Sequence, residues 1–218
     1  MTRDCSYILP IRRNTAGDIE ELSAYLRWLN GEVELIVVDG SPAPVFSRHE
    51  AAWSGIRHVA PDERHRCANG KVAGVLTGLD LATRDRVVIA DDDVRYDVAG
   101  LDQVVGLLEN AEVVRPQNYF DPSPWHARWD SARCLLNRIS GGDWPGTLAV
   151  RRSALGPSHG YNGDCLFENL ELVRTVRAYG GREVVASGVF VRRLPPSASQ
   201  FFSQRVRQAY DEFARPGR

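Results

Sequence analysis

The segment Arg86-Val-Val-Ile-Ala-Asp-Asp-Asp93 places three consecutive carboxylates directly after a short run of apolar residues. A run of this length that is rich in β-branched residues is typical of a strand buried on both faces of a parallel sheet. Similar runs occur earlier, at Ser6 to Pro10 and at Glu34 to Val38, and stretches with helical spacing separate them. This alternation favours an α/β fold with a mostly parallel central sheet and helices on both faces.

The remaining elements are predicted from apolar residues that recur every three or four positions, or that form short continuous runs. Predicted helices span Ile19 to Leu29, Val72 to Leu79, Leu101 to Leu108, Glu168 to Tyr179 and Phe202 to Phe213. Further strands are predicted at Ile56 to Val59, Glu112 to Arg115, Glu183 to Ala186 and Val189 to Arg192. Residues 116–146 are rich in Pro, Trp, Gly and Asn, and are predicted to form a long loop with a binding role.

Composition and charge exclude several classes of protein. The formal net charge is −1, so no overall positive field indicates a nucleic-acid partner. No apolar run approaches the roughly 20 residues of a spanning helix. The first residues do not resemble a secretory signal, so a cytoplasmic location is expected. The four cysteines are not spaced as zinc ligands and are interpreted as reduced thiols.

Two carboxylates are expected at one edge of the sheet. Asp39 and Asp91 both follow predicted buried strands, and ligands of open α/β sheets bind beyond the carboxyl ends of the strands. Asp91 and Asp93 would point to the same side of an extended chain and could bind one cation together. Carboxylate oxygens suit Mg²⁺ or Mn²⁺, which would also bind a diphosphate. The alternative is a solvated loop in which one aspartate caps the following helix.

Several short motifs occur in an order that is more specific than any one of them. They are Tyr7-Ile-Leu-Pro-Ile-Arg12, Val37-Val-Asp-Gly-Ser41, Asn69-Gly-Lys71, Val88-Ile-Ala-Asp-Asp-Asp93, Gly146-Thr-Leu-Ala-Val-Arg-Arg-Ser-Ala-Leu155, Phe167-Glu-Asn-Leu-Glu-Leu172 and Gln204-Arg-Val-Arg207. Together they resemble the family 2 glycosyltransferases over nearly the whole chain. The resemblance implies a single domain with the GT-A fold. Residues 1–115 would be its nucleotide-sugar-binding half and residues 116–218 its acceptor-binding half.

The resemblance implies roles for particular residues. Nucleotide-sugar contacts are expected at Pro10, Arg12, Asp39, Lys71, Asp91, Asp92 and Arg207, and the metal ligands are expected to be Asp93 and Asp91. Acceptor contacts are expected at Trp144, a large ring in a polar segment, and at Gln204. Ordinary structural explanations stay open: Asp39 could form an Asx turn, Lys71 could lie at a solvated helix start, and Arg207 could belong to a solvated basic face. Trp144 could equally pack in the core, since Trp buries a large area.

The motif that would carry the catalytic base departs from the family pattern. Where the family has a Glu-Asp pair, this sequence has Glu168-Asn169, and an amide cannot accept a proton at neutral pH. Glu168 or Asp164 would then supply the base, and a continuous helix would put both on one face. Glu168, at the start of a predicted helix, is the preferred assignment. Gln208 stands where the family motif has Trp, which removes an aromatic platform at the acceptor end.

The histidines are not assigned to catalysis. None of the five forms an HxxxH or HxH pair, and lone histidines are mostly structural or exposed. Some GT-A enzymes add a histidine to the metal, and His159 is the candidate for that role here.

The sequence therefore predicts a hexosyltransferase-like enzyme that moves a sugar from a nucleoside diphosphate sugar to an acceptor hydroxyl, with inversion implied by the resemblance. Without membrane spans, it should add single sugars to a small-molecule or lipid-linked acceptor, with peripheral membrane contact in the second case. A nucleotidylyltransferase is one alternative, although its glycine-rich basic signature is absent from Pro10-Ile-Arg-Arg-Asn14. The other alternative is a non-catalytic nucleotide-sugar-binding protein, because Asn169 and Gln208 replace family residues.

Overall fold

The computed structural model describes residues 2–15, 17–139, 143–156, 160–164 and 167–213, and it describes side chains up to residue 206. The strands are β1 (Ser6–Ile11), β2 (Glu34–Asp39), β3 (Arg57–Val59), β4 (Arg86–Ala90), β5 (Val94–Arg95), β6 (Val113–Phe120), β7 (Thr147–Arg151) and β8 (Glu183–Arg193). The helices are α1 (Glu20–Glu32), α2 (Ala43–Ala52), α3 (Gly70–Leu81), α4 (Val98–Leu107), α5 (Trp125–Ile139), α6 (Glu168–Ala178) and α7 (Ala198–Phe213). None of the described helices is long and apolar enough to cross a membrane.

The eight strands form one sheet in the order β3-β2-β1-β4-β7-β6-β8-β5. The first four strands along the chain are parallel, whereas β7 lies antiparallel to both β4 and β6. From β1 the chain moves outward to β2 and β3, then returns to the other side of β1 as β4. The change of direction makes the carboxyl ends of β1 and β4 the switch point, which is where α/β sheets bind ligands.

Strand β1 pairs with β2 over more residues than it pairs with β4, so the end of β1 at the switch point is paired on one side only. β1 pairs with β2 as far as Ile11, but its pairing with β4 ends at Ile8. Pro10 lies in the stretch that pairs with β2 alone. Proline has no N–H to donate, so it is tolerated where the ladder on one side has ended.

The core has two parts, one on each face of the sheet. Alternate residues of β1 belong to different parts, with Tyr7 and Leu9 in one and Ile8 in the other. Helices α1 and α4 cover the first face, and helices α3 and α6 cover the second. The predicted α/β architecture with helices on both faces is confirmed.

Two glycines bring α3 against β1. A Cβ atom at Gly74 would lie 3.1 Å from Cβ of Pro10, and one at Gly78 would overlap Ile8. Helix α3 therefore runs antiparallel to β1, and its first turn lies at the carboxyl end of the strand. This contact fixes the position of Lys71, in that first turn.

Several elements differ from the sequence predictions, and strands β5 and β7 were not predicted. The predicted loop at 116–146 contains the end of β6 and the 15-residue helix α5, because its prolines lie before or after the helix and do not interrupt it. Helix α2 was not predicted, and it begins directly after Pro42. The two strands predicted near the end of the chain are one 11-residue strand, β8, which continues through Gly188.

The contacts divide the chain into two compact units. One comprises residues 1–118 and 144–191, and contains both parts of the core. The other comprises residues 119–143 and 192–218, and contains α5 and α7.

Candidate active site

Asp39, the last residue of β2, is 1% exposed and joined to two histidines. Its Oδ2 atom lies 2.6 Å from Nδ1 of His49 and 3.1 Å from Nε2 of His58, while its Oδ1 atom accepts the backbone N–H of Ser41 at 2.8 Å. The last bond is the Asx turn considered from the sequence. Burial alone would raise the pKa of the Asp39 carboxyl, but hydrogen bonds from His58, Ser41 and His49 outweigh it and hold that pKa well below its usual range.

Aromatic rings cover the two histidines of this Asp39 cluster (Asp39, His49 and His58). Trp53 stacks on His49 with ring centroids 4.4 Å apart, and Phe46 stacks on His58 at 4.3 Å. The outer ring nitrogens, Nε2 of His49 and Nδ1 of His58, are buried with no hydrogen-bond partner among the described residues.

The Asp39 cluster is the one group of three His, Cys, Asp or Glu side chains in the described part of the chain with ligating atoms within 4.8 Å of one another. Histidines that bind metals normally donate their outer N–H to a partner that orients the ring, and both partners are missing here. The cluster is thus a hydrogen-bonded support for the end of β2. Sequence reasoning missed His49 and His58 because their spacing from Asp39 matches no ligand motif.

Lys71, Asp91 and Glu168 form a second cluster, the Lys71 bridge. The Lys71 ammonium is ion-paired with Oδ1 of Asp91 and lies 2.6 Å from Oε1 of Glu168. All three side chains are about one-fifth to one-quarter exposed, so solvent reaches them. Burial opposes the charge on Lys71, but the two carboxylates outweigh it and raise the pKa of the ammonium, which stays charged at neutral pH.

The chain forms a turn directly after β4. The prediction that Asp91 and Asp93 lie in an extended segment is therefore wrong. The backbone N–H of Val94 donates to the carbonyl of Asp91 at 3.1 Å, and the intervening residues form the turn. Asp92 is ion-paired with Arg13 at 3.1 Å, a contact that the sequence did not indicate. Arg12, which was predicted to contact the nucleotide sugar, precedes Arg13 and is exposed.

Glu168 and Asp164 do not share a helix, contrary to expectation. Helix α6 begins at Glu168, whereas Asp164 belongs to a separate loop and accepts the backbone N–H of Ala68 at 3.1 Å. The N–H of Asn69 in turn donates to the carbonyl of Gly163 at 3.0 Å. Asp164 therefore fastens the loop that precedes Lys71.

Asn169 has a structural contact that an aspartate could not make. Its Nδ2 atom donates to the carbonyl of Pro145 at 2.7 Å. The next carbonyl, that of Gly146, accepts the backbone N–H of Asp91 at 2.8 Å. The amide thus links the start of α6 to the segment that holds Asp91.

The predicted acceptor residues lie in different settings. Trp144 packs on the core, with the buried Arg115 guanidinium 4.3 Å above its ring. Gln204 is half-buried on α7. The side chains of Arg207 and Gln208, and the whole of His159, lie outside the described residues. Of the predicted site residues, the structure brings together Lys71, Asp91 and Glu168.

No family model and no curated protein match this chain. Among solved structures it is similar to a mannosyltransferase from Pyrobaculum calidifontis in complex with GDP-Man and Mn²⁺, with TM-score 0.69, 19% identity, and coverage of 100% of this chain and 66% of that one. It is also similar to glucosyl-3-phosphoglycerate synthase from Mycobacterium tuberculosis in complex with Mn²⁺ and UDP-glucose, with TM-score 0.59, 21% identity, and coverage of 98% and 80%.

A third similar structure is mannosyl-3-phosphoglycerate synthase from Rubrobacter xylanophilus, with TM-score 0.57, 16% identity, and coverage of 95% of this chain and 75% of that one. The chain spans about two-thirds of the length of the mannosyltransferase and three-quarters or more of the two synthases. At these identities the likeness concerns the fold. The chain has the GT-A-like fold that its sequence motifs predicted.

Proposed function

We propose that the chain is a metal-dependent glycosyltransferase that moves a sugar from a nucleoside diphosphate sugar to an acceptor hydroxyl. The observation that carries the proposal is the Lys71 bridge, which joins a carboxylate at the switch point of a GT-A-like sheet to a carboxylate at the start of α6. The similar structures with GDP-Man or UDP-glucose and Mn²⁺ support the same class of donor and ion.

The donor would bind at the carboxyl ends of β1, β2 and β4. Pro10 and Arg12 would border the nucleoside, and Asp39 would hold the end of β2 beside it through the Asp39 cluster. Lys71 and Asp92 would lie close to the diphosphate, Lys71 as a fixed positive charge and Asp92 through its pairing with Arg13. A cation whose pKa is raised stays charged while the nucleotide arrives and leaves.

The residues at the turn after β4 fit a hard divalent ion. Asp91 and Asp93 offer carboxylate oxygens, the ligands that Mn²⁺ and Mg²⁺ prefer, and the exposure of Asp91 leaves it within reach of a diphosphate. When bound, the ion would neutralise the charge that develops on the departing nucleoside diphosphate.

Glu168 is the proposed base. Its carboxylate would accept the proton of the acceptor hydroxyl as the oxygen attacks the sugar carbon, with inversion at that carbon. Lys71 orients this carboxylate through the 2.6 Å contact and links it to the nucleotide side of the site. Asp164 is the competing candidate, but its bond to the backbone of Ala68 gives it a structural task already.

Gln204 is a proposed acceptor contact from the sequence resemblance, Trp144 is another because its large ring lies in a polar segment, and Arg207 is a proposed diphosphate contact because of its charge. We propose that each acceptor, a small molecule or a lipid-linked one, receives a single sugar. Long homopolymers among the products would contradict it.

The deciding experiment compares Glu168→Gln with Asp164→Asn, using a panel of nucleotide sugars and Mn²⁺. Glu168→Gln keeps size and polarity but removes basicity, so turnover should fall by roughly 10²-fold or more while donor affinity is preserved. Normal turnover by Glu168→Gln together with an inactive Asp164→Asn would assign the base to Asp164.

The products of the same assay test the two rival functions. Release of the nucleoside diphosphate supports glycosyl transfer, whereas release of a nucleoside triphosphate and a sugar 1-phosphate that requires added pyrophosphate would identify a nucleotidylyltransferase. Metal-dependent thermal stabilisation by a nucleotide sugar, without turnover on any acceptor, would identify a non-catalytic binding protein.

A further inference from the structure

Helix α5 presents its apolar side to solvent. Trp125, Trp129, Leu136 and Ile139 are spaced four, seven and three residues apart, which places them along one stripe of the helix. The exposed fractions of the last three are 66%, 68% and 86%. Soluble proteins rarely expose large apolar side chains in a contiguous row.

The opposite side of α5 is polar and buried. His126 and Asp130 are both buried, and Nε2 of His126 lies 2.8 Å from the carbonyl of Pro196. Asp130 is ion-paired with Arg205 of α7 at 3.1 Å and with Arg133 at 3.5 Å. An ordinary surface helix buries its apolar side and exposes its polar side, so α5 is turned the other way.

Helix α7 extends the same surface. Phe202 and Val206, one turn apart, are more than half exposed. The ring of Phe202 lies 6.1 Å from that of Trp125, so the apolar surface is continuous from one helix to the other. We call it the α5–α7 surface; its residues are Trp125, Trp129, Leu136, Ile139, Phe202 and Val206.

The unit that carries the α5–α7 surface is basic. Residues 119–143 and 192–218 contain nine arginines and five acidic residues, a net charge of +4, while the rest of the chain carries −5. Arg128 is exposed beside the apolar stripe. Two copies of such a unit repel each other, whereas a surface of anionic headgroups attracts it.

We propose that the α5–α7 surface binds the chain to anionic phospholipid bilayers as a peripheral contact. The two tryptophans, each with an apolar ring and a polar N–H, suit the boundary between headgroups and acyl chains. Apolar side chains enter that boundary by about 5–10 Å, and the arginines add attraction to the headgroups. The helices would lie on the bilayer, and the inference does not depend on the proposed transfer reaction.

Flotation of the full chain with lipid vesicles tests the proposal. Vesicles with about one-third phosphatidylglycerol should bind the chain at least about tenfold more tightly than phosphatidylcholine vesicles, and salt should weaken the binding. The triple variant Trp129→Ser, Leu136→Ser, Ile139→Ser should lose this binding. Equal binding to both kinds of vesicle, or to neither, would overturn the proposal.

A matched control and a second measurement keep the result clear. Val98→Ser and Phe190→Ser change exposed apolar residues outside the α5–α7 surface, and both variants should bind vesicles normally. A stable dimer in vesicle-free solution that the triple variant dissociates would assign the surface to a second copy and overturn the proposal. Donor-induced thermal stabilisation of the triple variant should equal that of the wild type, so a failure of lipid binding and a failure of the proposed transferase activity are distinguishable.

Discussion

Asp39 and Asp91 occupy equivalent places, at the ends of the two strands that flank β1, yet their surroundings are opposite. Asp39 is almost fully buried and bonded to two aromatic-covered imidazoles and a backbone N–H. Asp91 is about one-quarter exposed and ion-paired with the Lys71 ammonium. The strand pattern places both at the rim, and from the partners that each one meets we propose a supporting role for Asp39 and a chemical role for Asp91.

The largest expected effect is on turnover, from Asp91→Asn. The change removes a charge beside the diphosphate and one partner of Lys71, so nucleotide-sugar turnover should fall by roughly 10²-fold or more. The free energy of unfolding should change by about 1 kcal/mol or less, because the pair is partly solvated. Steady-state kinetics and urea unfolding check the two halves of the prediction. A variant that unfolds easily but turns over normally would reverse the roles assigned to Asp91 and Asp39.

Asp39→Ala should mainly lower the free energy of unfolding, with a smaller effect on turnover. It leaves two buried imidazoles without their shared acceptor, and loss of one partner of a buried pair costs on the order of 3 kcal/mol. The measurement is the free energy of unfolding by urea at pH 7. Fully folded variant protein should keep donor-dependent stabilisation, and a loss of donor binding without a loss of stability would show that Asp39 contacts the nucleoside directly.

The pH dependence of the free energy of unfolding tests the supporting role of Asp39. Because the pKa of Asp39 is lower in the folded than in the unfolded chain, its stabilising contribution is complete above the unfolded pKa of about 4 and is lost as the pH falls through the folded pKa. The stability difference between wild type and Asp39→Asn should therefore be largest above about pH 4 and narrow toward pH 2. Urea unfolding in buffers from pH 6 to pH 2 gives that difference, and a gap that widens in acid would contradict the prediction.

The smallest effect is expected from Asn169→Asp. A carboxylate cannot donate to the Pro145 carbonyl, so the variant should lose about 1–2 kcal/mol of stability. Turnover should not rise, since the side chain faces a carbonyl. Thermal unfolding and initial rates provide the check, with Asn169→Ala as the control that loses the bond without adding charge. A stable, faster Asn169→Asp variant would mean that Asn169 occupies the position of the family base.

Local pattern was sufficient for the parallel part of the sheet and for the position of its rim. Runs of apolar residues with helical stretches between them define β1, β2 and β4, and a polar residue ends or directly follows each strand. The Lys71 bridge was only partly predictable. Lys71, Asp91 and Glu168 were each named from motifs, but the ion pairs among them join residues 20 and 97 positions apart.

Pattern fails where tertiary contacts decide. His49 and His58 meet Asp39 because α2 and β3 pack beside β2, and no local spacing encodes that meeting. Helix α5 was not predicted, because the proline content of residues 116–146 indicated a loop, whereas the prolines lie outside the helix. Periodicity also identifies the apolar side of a helix without telling which way that side faces.

The contact between α3 and β1 has a consequence for how such a protein can diversify. A side chain at Gly78 would overlap Ile8, and one at Gly74 would press on Pro10, so substitution in this part of the scaffold requires the strand to shift. The neighbouring loops are held by a few hydrogen bonds, such as that of Asp164, and can change length and sequence at lower cost. Under the proposed function, new acceptor preferences would therefore arise in those loops, while the position of Lys71 stays fixed by the contact between α3 and β1.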